Sequence, residues 1–124
     1  MQDVLYPSSS VLVAGDDGVG GSVFAVLVEH QSNRIVVSVH GELDVASAPV
    51  LQRQLLALLK LPIACVALDL RELAFMDSVG LGVLVRVHRA AQESAVDFEL
   101  VEPSEQIEWM LSLTGLAPLA APPR

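Results

Sequence analysis

Positive charge is scarce in this chain. Seven Lys and Arg stand against fifteen Asp and Glu across 124 residues, a formal net charge of −8. A surface of that sign repels a phosphate backbone and an anionic lipid face. It argues against direct nucleic-acid or membrane binding and leaves room for a basic protein partner. Cysteine is nearly absent. The single Cys65 cannot form an internal bridge, which fits a reducing compartment. Its neighbours Ala64 and Val66 supply no basic group, so it reads as a small core residue rather than a catalytic thiol. Long hydrophobic runs are missing too. Hydrophobic residues make up 52% of the chain, yet no run reaches the roughly 18 apolar residues of a membrane helix. Lys60 and Pro62 split the two most apolar stretches, and no basic residue before Arg34 supplies the charged start of a secretory signal. A cytoplasmic location is the expectation. The apolar content reads as one buried sheet covered by helices, in a single domain.

Catalytic signatures are lacking as well. His30, His40 and His88 are too widely separated for a metal site. Gly80-Leu81-Gly82 lacks the third glycine and the preceding strand of a dinucleotide fingerprint. Ser78 lacks the Gly-x-Ser-x-Gly context of a hydrolase nucleophile. The expectation is therefore a non-enzyme with no cofactor, no metal and no catalytic residue.

Along the chain, residues 1–22 are turn and linker in composition, with Ser8-Ser9-Ser10 and a Gly/Asp-rich stretch at 15–21. They read as a flexible N-terminal arm with one short strand near 11–13. Residues 23–29 and 35–39 are apolar and β-branched around a turn at Asn33, the pattern of a hairpin. Ser47 and Pro49 can open a helix in which Leu51, Leu55, Leu58 and Leu59 recur at helical spacing, and Pro62 stops it. Residues 64–69 form a continuous apolar run ending in Asp69, as in a strand covered on both faces. A second helix over 79–93 carries Leu81, Leu84, Val85 and His88 on one side. A short strand follows at 98–101, then a third helix from Pro103 or Ser104 with Ile107, Met110 and Leu111 as its apolar face and Gly115 as its stop. Trp109 falls off that face and either closes the core edge or stands exposed as a contact residue. The expected fold is α/β: a mixed sheet of four or more strands with helices packed on it, over 23–116, and a tail at 117–124.

The segment that carries chemistry is Asp77-Ser78-Val79-Gly80-Leu81-Gly82. A buried strand ends, a loop follows, and Asp77-Ser78 stand where a helix begins. Gly80 and Gly82 each cost roughly 1 kcal/mol against Ala in a helix interior, which points to a close approach of backbone or ligand. Ser78 reads as a helix N-cap and also as an exposed hydroxyl that a kinase could modify. The two roles are compatible. Free amides and the dipole at the helix start could receive the phosphate there.

Three stretches resemble the signature of STAS-domain anti-sigma factor antagonists. They are Gly41-Glu42-Leu43-Asp44 with Ala48-Pro49, the run from Asp69-Leu70 to Leu84, and Glu102-Pro103-Ser104 through Thr114-Gly115-Leu116. The resemblance implies a STAS-like domain at 23–116 and phosphorylation of Ser78 by a cognate anti-sigma factor that is a serine kinase. The unmodified form would bind that kinase and free the sigma factor, and a serine phosphatase would reset the modified form. Asp44, Asp77, Ser78, Val79, Gly80 and Gly82 become the implied partner contacts, on a monomer or weak dimer. Asp44 keeps an alternative reading as a turn residue. Relatives usually carry a small residue where this chain has Val79, and that departure favours the alternative of a phosphorylation-independent scaffold module.

Overall fold

The computed structural model describes residues 9–14 and 24–115. The elements run β1 (Ser9–Ala14), β2 (Phe24–Gln31), β3 (Arg34–Leu43), α1 (Ala48–Leu58), β4 (Cys65–Asp69), β5 (Leu73–Met76), α2 (Ser78–Ser94), β6 (Asp97–Val101) and α3 (Glu105–Ser112). The sheet is mixed, as expected. Its order is β1-β2-β3-β4-β6, with β5 paired to β3 off this path. β1–β2 and β2–β3 are antiparallel, while β4 and β5 lie parallel to β3 and β6 lies parallel to β4.

β4 is the interior strand that its unbroken apolar run predicts. All five of its residues are buried between β3 and β6. Alternate residues of the neighbouring strands, Ile35, Val37 and Val39 in β3 and Phe98 and Leu100 in β6, join one core with Leu51 and Leu55 of α1, Leu84 and Val87 of α2, and Ile107 and Leu111 of α3. The period-2 alternation of β3 and β6 and the helical spacing of the leucines in α1 are thus two views of one apolar layer.

Three expectations need correction. The stretch 73–76 reads as a loop in sequence but forms β5. Four residues with two exposed give no periodic signal, and the strand depends on a remote partner. That partner is the far end of β3, reached through a register shift at Gly41, whose φ of 105° suits glycine. Residues 9–14, placed by sequence within the N-terminal arm, pair along β2 from Ser9↔Glu29 to Ala14↔Phe24, a strand longer than the one expected near 11–13. The rest of that arm and the tail at 117–124 lie outside the described residues. The third correction is the buried face of α2. It consists of Gly80, Val83, Leu84, Val87 and Ala91, while Leu81, Val85 and His88 are only half-buried.

Leu55 is fully buried. Leu55→Ala should lower unfolding stability by about 2–5 kcal/mol through lost transfer energy and an unfilled cavity. A urea melt checks it, and a loss under about 0.5 kcal/mol would place Leu55 outside the core.

Candidate functional site

The site lies where β5 hands over to α2. Leu43 and Met76 are register partners at the parallel ends of β3 and β5, and the Asp77 amide donates to the Leu43 carbonyl at 3.2 Å. This bond fixes Asp77 in extended backbone (φ −104°, ψ −172°), the geometry of an N-cap. Its Oδ1 accepts from the amides of Val79 and Gly80, both at 3.0 Å. The cap of α2 is therefore Asp77, and Ser78 is the first helical residue. Ser78 is exposed, and among the described residues its hydroxyl has no hydrogen-bonding partner. Reading Ser78 itself as the cap is corrected here. So is the picture of a helix start with free amides, because Asp77 already occupies two of them.

The two glycines have different work. A Cβ on Gly80 would stand 2.8 Å from Leu43 Cγ, 2.8 Å from the Leu43 carbonyl oxygen and 2.9 Å from Met76 Cγ. The close approach foreseen from sequence is thus internal. Gly80 is buried, and its bareness seats α2 on the ends of β3 and β5 rather than offering a surface to a partner. Gly82 is half-exposed, and a Cβ there would meet only the Arg86 guanidinium, at 3.6 Å from Nη1.

The β3–α1 loop runs beside this junction. Asp44 Oδ1 accepts from the amides of Ala46 at 3.0 Å and Ser47 at 3.2 Å. The Ser47 hydroxyl donates to the Glu42 carbonyl at 2.7 Å and accepts from the Asp44 amide at 3.0 Å. Ser47 occupies the N-cap position of α1, yet its side chain bonds back into the loop instead of capping the helix, contrary to expectation. Asp44 is half-buried and holds the turn. Removing its carboxylate would loosen the loop as well as alter any contact it makes.

Sequence reasoning named Val79 but missed the two residues that extend it into an apolar rim. Val45 is 70% exposed, and Phe75 and Val79 are each 40% exposed. Pairing of Glu42 with Phe75 and of Leu43 with Met76 brings the loop of Val45 and the strand of Phe75 to one end of the sheet, next to Ser78. A large apolar residue between Asp44 and Ser47 was the available signal for Val45. Nothing local marked Phe75. Trp109 is 64% exposed on α3.

Asp69, at the end of β4, anchors the turn that leads into β5. Its carboxylate receives both Nε and Nη2 of Arg71, the latter at 2.7 Å, and the Arg71 amide at 3.0 Å. Burial raises the acid's pKa, but those hydrogen bonds and the Arg71 charge outweigh it and hold the carboxyl below its ordinary value. Cys65 is buried. Burial first, and then the Glu99 charge, push its thiol up to about 11, so it stays protonated at neutral pH. Among the described residues no group of three or more His, Cys, Asp or Glu could hold a metal ion, and no helix is long and apolar enough to cross a membrane.

The model of the STAS domain family matches residues 25–122, which takes in the sheet from β2 onward, the junction and all three helices. The chain belongs to the STAS domain family. Its sequence is 35% identical over 89 residues to the anti-sigma-B factor antagonist of Bacillus subtilis (strain 168), covering 72% of this chain and 81% of that protein. The anti-sigma-B factor antagonist of Staphylococcus epidermidis is 32% identical over 83 residues, covering 67% of this chain and 77% of its own. Among solved structures, an anti-sigma factor antagonist from Mycobacterium paratuberculosis superposes with a TM-score of 0.67 at 29% identity, over 77% of this chain and 80% of that one. The anti-sigma factor antagonist SpoIIAA in its unphosphorylated form gives a TM-score of 0.71 at 21% identity, over 80% and 88%, a likeness of fold.

The contrast between the two STAS glycines is testable. Gly80→Ala should destabilise by about 1–3 kcal/mol, because backbone and core must shift to admit the methyl. Gly82→Ala should be neutral or stabilising by up to about 1 kcal/mol, since helix propensity improves and the space is open. Thermal and urea melts of the pair check this, and equal effects would contradict the assignment.

Proposed function

We propose that this chain is an anti-sigma factor antagonist that binds its anti-sigma factor through the end of the sheet around Ser78, and that phosphorylation of Ser78 switches this binding off. The observation that carries the reading is an exposed hydroxyl with no partner among the described residues, at a capped helix start next to an apolar rim of Val45, Phe75 and Val79. The names of the relatives support it. So does the existence of SpoIIAA structures in both unphosphorylated and phosphorylated forms.

The mechanism follows from charge. The rim supplies apolar area that a partner can desolvate, and the neutral hydroxyl sits within it at little cost. The partner, acting as a serine kinase, transfers the terminal phosphoryl group of ATP to Ser78 Oγ. The hydroxyl proton leaves, and ADP is released. The new group carries about −1.5 to −2 charge at neutral pH. Packed in the interface beside the Asp77 carboxylate, it must give up its hydration next to a like charge, a penalty of several kcal/mol, so affinity falls by about a hundredfold or more. A serine phosphatase restores the hydroxyl. Asp44, Asp77, Val79 and Gly82 complete the contact surface, while Gly80 acts from beneath it. In this reading the unit at 23–116 works in the cytoplasm as a monomer or weak dimer. It touches neither nucleic acid nor membrane and catalyses nothing itself. The branched Val79, exposed next to Ser78, favours one alternative: a STAS scaffold that binds regardless of phosphorylation.

Incubation with the cognate anti-sigma factor and ATP, followed by phosphosite mapping and calorimetric titration, separates the two. The label should fall on Ser78 and weaken binding by about a hundredfold. Ser78→Ala should stay folded, resist labelling and bind throughout. Label on another residue, or equal affinity of both forms, would overturn the switch.

A further inference from the structure

We propose that Arg86 is the residue that receives the phosphate on Ser78, an inference that rests on the reading of Ser78 as the modified residue. Two backbone amides of the helix start, those of Val79 and Gly80, are already held by Asp77 Oδ1. Ser78, Gly82 and Arg86 follow at intervals of four residues and lie along one stripe of α2. Long helical side chains lean toward the N-terminus, and Arg86 does so. Its Nη1 and Nη2 lie 3.6 and 3.8 Å from where a Gly82 Cβ would be, which places the guanidinium over the bare glycine one turn from Ser78.

The guanidinium is tethered and yet available. Its Nε donates to Gln52 Oε1 on α1 at 2.7 Å, whereas Nη1 and Nη2 have no partner among the described residues. Arg34 and Arg71, by contrast, are paired with Glu99 and Asp69. Cβ atoms one turn apart on a helix are about 5–6 Å from each other. A phosphate on Ser78 carries its oxygens three bonds beyond Cβ, and the Arg86 head rests at the Gly82 end of that gap. Nη1 and Nη2 can then take the phosphate as a two-pronged donor while Nε keeps Gln52. Asp77 pushes the dianion away from the cap, and Arg86 draws it along the helix face. Gly82 leaves the path between them clear. The modification thereby acquires a fixed place on the surface that the partner would cover.

The test installs phosphoserine at position 78 during translation and follows its 31P signal against pH, so no kinase is needed. Free phosphoserine loses its second proton near about pH 6. Pairing with Arg86 favours the dianion, so wild-type protein should titrate at least about half a unit below Arg86→Gln. Gly82→Leu keeps the arginine but fills its resting place, and should move the titration toward that of Arg86→Gln. Coincident curves for wild type and Arg86→Gln would overturn the proposal. A curve for Gly82→Leu that matches wild type would overturn the role of the bare glycine. Should the kinase label some other residue, the switch reading fails while this titration still decides whether Arg86 engages a phosphate on Ser78.

Discussion

Asp77 ties the sheet to the helix that carries Ser78, the proposed switch residue. Its amide is held by the Leu43 carbonyl, and its carboxylate holds the amides of Val79 and Gly80. One residue thus terminates a strand and begins a helix, so the direction of α2 is set by the register of β5 on β3. Because Asp77 satisfies the helix start, the Ser78 hydroxyl is not needed for capping. A side chain that stabilised the helix could not be modified without cost to the fold. In the proposed switch the structural and regulatory roles fall on adjacent residues, so modification would change the surface while the fold stands.

The same junction explains the packing around it. Gly80 sits against Leu43 and Met76 too closely for any side chain, so α2 rests directly on the ends of two parallel strands. The β3–α1 loop, locked by Asp44 and Ser47, is held beside it. Val45, Phe75 and Val79 come from three separate segments and reach one end of the sheet through this arrangement. An apolar rim around a polar centre suits a reversible protein contact, because the rim gives area and the centre gives a point at which charge can veto it.

Much of the fold was legible in the sequence because burial leaves a pattern. The unbroken apolar run of β4 and the leucine spacing of α1 both match buried positions. The face of α2 was less legible. Gly80 and Ala91 contribute little hydrophobic signal, and the stronger apolar pattern runs through Leu81 and Val85, which are only half-buried. β5 was hidden because it is short and paired across a register shift. At the site the helix start was readable and Asp77-Ser78 stood out, while the stretch before it, expected as a loop, is β5. Which of the two caps the helix was not readable, since both residue types cap well and the choice rests on the Asp77 bond to Leu43. The lie of Arg86 over Gly82 is likewise a product of the folded helix and of Gln52 on its neighbour.

The central claim is that Asp77 keeps its cap whether or not Ser78 is modified. Amide hydrogen exchange at Val79 and Gly80, compared between unmodified protein and protein carrying phosphoserine at position 78, tests it most directly. Both amides should show the same protection in the two forms, since the phosphate takes neither of them. A marked loss or gain of protection at Val79 or Gly80 on modification would mean that the phosphate displaces Asp77, and that the switch works by remaking the helix start rather than by changing surface charge.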